Sequence, residues 1–475
     1  MIGMKFTGCS LKKLCVLAGL FALNQAGALH GQTSETALDE WMRIDEGVFD
    51  YKVIKASRID DIKHYQIFMI SQRWLDPSLV DRVEWTHWVN VYIPDDLQDD
   101  TALLFIGGGS NRDFPPDRVN STLVKHARDT KAVTLELGQV PNQPLVFEGK
   151  SGPLTEDGLI AYAWNKYLQT NDPTWLPRLP MTKSAVKAMD MVTSFVETES
   201  AGRNSIHNFI VAGGSKRGWT TWTTAVVDSR VIGIVPIVID MLNLVPSFQH
   251  HWESYGFYAP AVGDYERSSI MQWRESKEFA GLLKIVEPYE YRDRLTLPKL
   301  LLNATGDQFF LSDSWKFYWN DLQGENHLRY VPNADHSLRD TDAPDSITSF
   351  FYCISNGIKL PEVDWNTTRN GQVRAKPSVS PSSVRLWSAH NPGARDFRVE
   401  SLGKVWKSED LTPNERGFYR SRIQSPKSGF TAFLIEFTFE IEGCPSPVIL
   451  TTGTHILPDF LPFDFDTGEA RPRPQ

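Results

Sequence analysis

The feature that most constrains this chain is a serine held between glycines where a buried strand gives way to a helix: Val211-Ala212-Gly213-Gly214-Ser215-Lys216-Arg217-Gly218-Trp219. The preceding run, Ile206 to Val211, is short, β-branched and apolar, while Trp219 to Val227 has the pattern of a helix packed on a sheet. A sharp turn between them lifts the serine oxygen above the sheet, and the glycines let neighbouring backbone pass without side-chain collision. That is where a nucleophile elbow belongs. The usual elbow has glycine two places after the serine; here Arg217 holds that place and Gly218 follows. A plain glycine-rich loop has the same local signature, so later segments must decide.

Two of them do. Leu297 to Asp307 is an apolar strand ending in Gly306-Asp307, and His327 to Pro332 is a second strand followed by Asn333-Ala334-Asp335-His336-Ser337. The order Ser, Asp, His, with acid and histidine each just beyond the carboxyl end of a late strand, is that of α/β-hydrolases. A serine hydroxyl becomes a useful nucleophile when a neutral imidazole takes its proton, and the imidazole needs a carboxylate to fix its tautomer. The assignment is Ser215 as nucleophile, His336 as base and then acid, and Asp307 as orienter. Taken singly, Asp307 reads equally as a cap for a helix over Ser312 to Leu322, and His336 as a loop residue.

Asp240, at the end of the apolar strand Val231 to Ile239, is the alternative acid. It is equally suited to holding the Met241-Leu242-Asn243 turn. For an oxyanion hole the elbow offers the Lys216 N–H. The strand Leu103 to Ile106 runs into Gly107-Gly108-Gly109-Ser110, where Gly109 and Ser110 are the candidate partners.

Several longer motifs carry a resemblance: residues 213–222, Glu287 to Leu295, Asn303 to Asp307, Tyr330 to Leu338, Glu156 to Tyr162 and Leu179 to Val186. They resemble the PhoPQ-activated pathogenicity-related protein family, from about Leu38 to beyond Leu360. The resemblance implies an α/β-hydrolase-like fold and a relation to a eukaryotic autocrine proliferation repressor, itself similar to the catalytic domain of dipeptidyl peptidases. The family more often carries Glu at the place of Gln308. The serine motif with its later glycine also resembles, locally, that of glucuronoyl esterases.

A chain of 475 residues, 41% apolar, can bury a large core and more than one domain. Its net charge of −9 argues against a nucleic-acid partner. Lys5, Lys12 and Lys13, the apolar run Leu14 to Leu23 and Ala26-Gly27-Ala28 read as a cleavable secretory signal peptide over residues 1–28. Its removal takes three lysines and no acid, moving the charge from −9 to −12. Cys9 and Cys15 leave with it, so Cys353 and Cys444 allow at most one disulfide. A secreted or periplasmic protein without a membrane span is expected.

Strands Tyr51 to Ala56, His64 to Ser71 and Arg82 to Ile93 should open the sheet antiparallel, with Ala102 to Ile106 and Ala132 to Leu137 parallel after them. Strand–helix alternation then predicts a doubly wound α/β sheet over residues 29–370. Two insertions, about 138–180 and 244–296, fall at its carboxyl edge as lid segments. Short alternating strands such as Ser383 to Trp387, Phe397 to Ser401 and Phe430 to Ile441 predict a small β-sandwich over 376–462.

In the second insertion His250-His251-Trp252-Glu253 matches no HExxH spacing, so no metal is assigned. His250, His251, Trp252 and Glu156 are candidate substrate contacts, as an alternative to packing. Glu156, Asp157 and Glu253 are the acids that a dipeptidyl peptidase would use to grip a substrate's amine. Lys216 and Arg217 either attract an acidic substrate or steady the elbow by pairing with Asp240. The expected function is an exported serine hydrolase that forms an acyl-enzyme on a small ester or peptide and requires no cofactor. The alternative is a secreted binding or signalling protein on a hydrolase fold with a vestigial triad.

Overall fold

In the computed structural model, which describes residues 35–473, a short helix α1 (Ala37–Arg43) leads into strands β1 (Asp50–Ile59), β2 (Ile62–Arg73) and β3 (Glu84–Pro94). The expected signal peptide, with Cys9 and Cys15, lies outside the described residues. Strand and helix then alternate: β4 (Thr101–Ile106), α2 (Ser121–Thr130), β5 (Thr134–Leu137), α3 (Glu156–Thr170), α4 (Arg178–Glu199), β6 (Asn208–Gly214), α5 (Lys216–Val227) and β7 (Val231–Ile237). Next come α6 (Leu244–Tyr255), α7 (Gly263–Arg267), α8 (Lys277–Val286), β8 (Lys299–Ala304), β9 (Asn326–Val331) and α9 (Ala343–Ser355). The nine strands form one sheet in the order β1-β2-β3-β5-β4-β6-β7-β8-β9. Pairings from β1 to β5 are antiparallel, and every pairing from β5 to β9 is parallel.

The parallel strands are apolar on both faces because each face has its own core. Along β6, Phe209 and Val211 join the core shared with α1, α4 and α5, while Ile210 and Ala212 join the one shared with α2 and α9. β8 repeats the pattern, with Leu301 on one side and Leu300 and Leu302 on the other. A period of two with both phases apolar is what helices on both faces require.

The first insertion contributes α3, and the second contributes α6, α7 and α8 with intervening 3₁₀ turns. Ser312 to Leu322, expected as a helix, instead makes two 3₁₀ turns, Ser314–Phe317 and Trp319–Asp321. Tyr318 interrupts them at φ −143° because its side chain is committed elsewhere, donating to Asp240 at 2.5 Å, while Trp315 Nε1 donates to Thr454 O.

Beyond α9 the chain makes β10 (Val363–Thr367), β11 (Gln372–Pro377), β12 (Ser383–Asn391), a helical turn α10 (Val399–Leu402), β13 (Lys407–Asp410), β14 (Tyr419–Arg422), β15 (Phe430–Phe439), β16 (Val448–Thr451) and β17 (His455–Leu457). These form two antiparallel sheets, β10-β11-β14 and β13-β12-β15-β16 with β17 on β15. Tyr419 of the first meets Phe437 of the second edge to face at 5.5 Å. Phe397 to Ser401 was expected as a strand and turns helical instead. Asp396 accepts the Arg398 N–H, and the Val399 N–H is drawn to Gly306 O at 3.0 Å. Cys353 in α9 and Cys444 are free thiols, and Cys444 Sγ donates to Ser446 O at 3.0 Å. No helix among the described residues is long and apolar enough to cross a membrane.

Candidate active site

Ser215 sits between β6 and α5 with φ 58° and ψ −126°, a conformation that costs a non-glycine residue about 1–3 kcal/mol. Its backbone is over-determined. The N–H donates to Ile237 O at 2.8 Å, and the carbonyl accepts from Gly218 at 2.7 Å and Trp219 at 3.3 Å. The late glycine has its own reason: a Cβ on Gly218 would stand 2.6 Å from Ile239 Cγ2 and 3.1 Å from Gly213 O. Close packing of α5 on the end of β6 and on the segment after β7 therefore needs glycine three places after the serine, and leaves the second place free for Arg217.

Asp307 and His336 lie on the loops after β8 and β9. Backbone bonds lock these loops together: Gly306 N–H to Ala334 O at 3.0 Å, Thr305 N–H to Val331 O at 3.1 Å, and Asn333 N–H to Thr305 Oγ1 at 3.1 Å. Gly306 permits this approach, since a Cβ there would run into Val399 and Ala334 O. His336 Nδ1 and Asp307 Oδ2 are 2.8 Å apart. A carboxylate only accepts, so Nδ1 carries the proton and Nε2 of the neutral ring is left as an acceptor. Asp307 Oδ1 accepts the N–H groups of Phe309 (2.7 Å) and Phe310 (3.3 Å), and Gln308 Oε1 accepts the His336 N–H at 3.1 Å. The Phe309 ring packs 4.3 Å from the imidazole.

Asp240 is placed differently. It accepts Tyr318 and Tyr330 hydroxyls and makes no bond to His336. Burial pushes its pKa up to about 7 against the lowering effect of those two bonds, with the charges of Asp307 and Asp313 adding to the rise. Neither alternative that involved Asp240 is matched by a contact: His336 Nδ1 is bonded to Asp307, and the basic pair finds its acids elsewhere. Lys216 Nζ contacts Glu156 at 2.9 Å and Asp157 at 3.1 Å, and Arg217 Nη2 contacts Glu156 at 2.6 Å. Burial disfavours the Glu156 charge, but Arg217 and then Lys216 outweigh it and bring the pKa to about 2.

A cavity of about 50 Å³ opens beside Ser215, with Trp164, Trp219, Phe248, Phe309 and Phe310 among its apolar walls and Asp157, Arg178, Lys216 and Tyr265 as its polar edge. Helix α6 supplies Leu244 and Phe248 to it. His250, His251 and Trp252, expected as substrate contacts, do not line this cavity. His250 is buried against Asp313 at 2.9 Å, His251 accepts the Ala259 N–H, and Trp252 packs on Tyr258. The helix turns its apolar face, not its histidines, toward the serine. Glu253 is held by Arg471 at 3.0 Å. Gly109 and Ser110 line a separate cleft of about 350 Å³ with Trp88, Asn90 and Glu136, and the Arg217 guanidinium lies against Gly108. Lys216 opens α5, so its N–H has no acceptor within the helix.

The residues that sequence reasoning passed over are Arg178, Gln143 and Tyr265. Gln143 bonds both the backbone and the carboxylate of Glu156, and the Tyr265 hydroxyl donates to Asp157 at 3.0 Å. Arg178 directly precedes the Leu179 to Val186 motif, which was its available signal.

The doubly wound sheet with a strained serine at the strand–helix turn, and an Asp–His pair on the loops of the last two strands, defines an α/β-hydrolase fold. Residues 38–398 match the family described as PhoPQ-activated pathogenicity-related protein, and the chain belongs to that family. It is 33% identical over 456 residues to autocrine proliferation repressor protein A of Dictyostelium discoideum, covering 90% of this chain and 92% of that one. Among solved structures, an acetyl xylan esterase from Paenibacillus sp. R4 is similar with a TM-score of 0.45 and 15% identity, over 64% of this chain and 90% of that one. Acetyl xylan esterase 1 from Thermoanaerobacterium sp. JW/SL YS485 is similar with a TM-score of 0.41 and 13% identity, over 63% and 88%.

Proposed function

We propose that this protein is an exported serine hydrolase that works through Ser215, His336 and Asp307. The observation that carries the reading is the 2.8 Å bond from His336 Nδ1 to Asp307, which leaves Nε2 free to accept a proton, together with a serine held on a strained turn beside an apolar cavity. In the reaction Ser215 Oγ attacks a carbonyl carbon as His336 Nε2 takes the hydroxyl proton. The oxyanion is met by the Lys216 N–H, for which α5 supplies no acceptor. The proton then passes from His336 to the leaving alcohol or amine as its bond to carbon breaks, giving an acyl-enzyme. Water, deprotonated by the same imidazole, releases the acid and restores Ser215.

Esters fit the site better than peptides with a free amino terminus. Both acids suited to gripping an amine near Ser215, Glu156 and Asp157, are already paired with Lys216 and Arg217, and Glu253 is taken by Arg471. The test is a panel of short p-nitrophenyl esters against dipeptidyl anilides with wild-type and Ser215→Ala protein. Ester turnover lost on Ser215→Ala supports the reading, and anilide turnover that needs a free amine would replace it with a peptidase. Export rests on the basic-then-apolar pattern of the first residues, and amino-terminal sequencing of the protein outside the cytoplasm tests it.

The second reading, a secreted signalling or binding protein with an unused triad, is favoured by the name of the Dictyostelium relative, a proliferation repressor. Inertness of a folded protein toward both substrate panels would support it.

A further inference from the structure

The hydrolase chemistry leaves one buried charge unused. Arg178, at the start of α4, is 4% exposed and lines the cavity that Ser215 opens into. Its Nη1 donates to two uncharged oxygens, Lys216 O at 2.6 Å and Thr220 Oγ1 at 2.8 Å, while Nε is buried without a partner. The guanidinium lies over the Trp219 ring at 5.3 Å.

The surrounding charges do not cancel. Arg178, Lys216 and Arg217 are set against Glu156 and Asp157, and both carboxylates are engaged by Lys216 and Arg217 at 3.1 Å or less. Tyr265, whose pKa burial holds well above its ordinary value, adds no charge. One positive charge is therefore in excess, and it sits on Arg178. Burial brings the Arg178 pKa down to about 9; the charge of Asp157, which is bonded to Lys216 and Tyr265 rather than to Arg178, raises it too little to offset that. A buried charge without a partner is costly, and a guanidinium is suited to a carboxylate.

The cavity limits what can supply the missing charge. At about 50 Å³, and with roughly 10–15 Å³ per water on this measure, it holds about three to five water volumes, or a carboxylate on a short carbon chain. Apart from Ser215 and the polar edge of Asp157, Arg178, Lys216 and Tyr265, its walls are apolar, which strengthens a charged contact inside it.

We propose that the cavity beside Ser215 is a carboxylate subsite in which Arg178 binds an anionic end of the substrate, so that the substrate class is a half-ester of a short dicarboxylic acid. The ester bond in this statement rests on the serine-hydrolase reading; the anion site does not. A purely structural Arg178, latching α4 to Lys216 O and Thr220, would give the cavity no preference for charge.

The experiment is binding of succinamate against its uncharged isostere succinamide to the full chain, followed by tryptophan fluorescence, since Trp164 and Trp219 line the cavity, and by the shift in melting temperature. Wild type should bind succinamate about tenfold or more tightly than succinamide, the scale of one charge-assisted contact. Arg178→Met should remove that preference and Arg178→Lys should keep part of it. Equal or absent binding of the two by folded wild type overturns the proposal, as does a folded Arg178→Met protein that keeps the preference. If Arg178→Met does not fold, the wild-type comparison and Arg178→Lys still decide. Anion preference in a protein inert to every ester would support the subsite and count against the hydrolase reading; ester turnover without anion preference would do the reverse.

Discussion

Asn333 and Trp406 exchange two hydrogen bonds, Asn333 Nδ2 to Trp406 O at 3.0 Å and Trp406 N–H to Asn333 Oδ1 at 2.9 Å. Asn333 lies three residues before His336 with φ 59°, a left-handed conformation that asparagine tolerates better than most residues. Through this pair, and through Val399 N–H to Gly306 O, the carboxyl-terminal segment braces the loops that carry His336 and Asp307. Its part is to fix the geometry of the proposed base and orienter.

Asn333→Ala removes both bonds and the tolerated backbone state together. The expected cost is about 2 kcal/mol, from roughly 1 kcal/mol for each bond. Ester kcat should fall with it while KM changes little. A variant with unchanged denaturant midpoint and unchanged kcat would contradict the bracing role.

Asp307→Asn should lower kcat by about 10³–10⁴, because an amide no longer fixes the proton on Nδ1 of His336. Asp240→Asn should cost far less, since Asp240 bonds only Tyr318 and Tyr330 among the described residues. Rate measurements on the two folded variants with one substrate decide this, and the reverse ranking would move the orienting role to Asp240.

Asp240 should also leave a mark on stability. Burial holds its pKa at about 7 in the folded state, whereas an unfolded chain has an ordinary aspartate at about 4. Between these values the folded state keeps a proton that the unfolded state has lost, so this group makes stability fall as pH rises through that window and levels off above it. Asn cannot titrate. The difference in melting temperature, Asp240→Asn minus wild type, should therefore rise between about pH 5 and pH 8, where buried histidines common to both proteins cancel. A flat difference would show that Asp240 does not titrate in that window.

Gly218→Ala places a methyl group 2.6 Å from Ile239 Cγ2 and 3.1 Å from Gly213 O. Overpacking of this kind costs about 1–3 kcal/mol, and here it also pushes α5 off the sheet and loosens the Ser215 turn. Both the denaturant midpoint and ester turnover should drop. Gly214, whose added Cβ would meet only Val238 at an ordinary 3.9 Å, should tolerate alanine better. Equal effects at the two glycines would refute the packing argument.

What the sequence made legible is what residue type and short spacing encode. The parallel strands announce themselves because both faces of β6 and β8 are apolar, and the Ser215 turn because strand, glycines and helix are contiguous. Partnerships between distant segments were not legible. Lys216 and Arg217 meet Glu156 and Asp157 from about sixty residues away, and nothing local told those acids from Asp240. His250 has the residue type of a site, but its partner is Asp313, 63 residues further along the chain. Phe397 to Ser401 has strand-like side chains, yet Asp396 and Gly306 take the N–H groups of Arg398 and Val399 and turn it helical. Arg178 went unnoticed because its significance is an absence of counter-charge, visible only once every neighbouring carboxylate has been assigned.

The central claim is that Ser215 is an activated nucleophile, and covalent labelling tests it most directly. Full-length protein treated with a fluorophosphonate at neutral pH should gain the mass of one phosphonyl group, mapped by peptide sequencing to Ser215. The adduct should be absent from Ser215→Ala and sharply slowed in Asp307→Asn. A folded wild-type protein that stays unlabelled, or that is labelled at a different residue, would contradict the account.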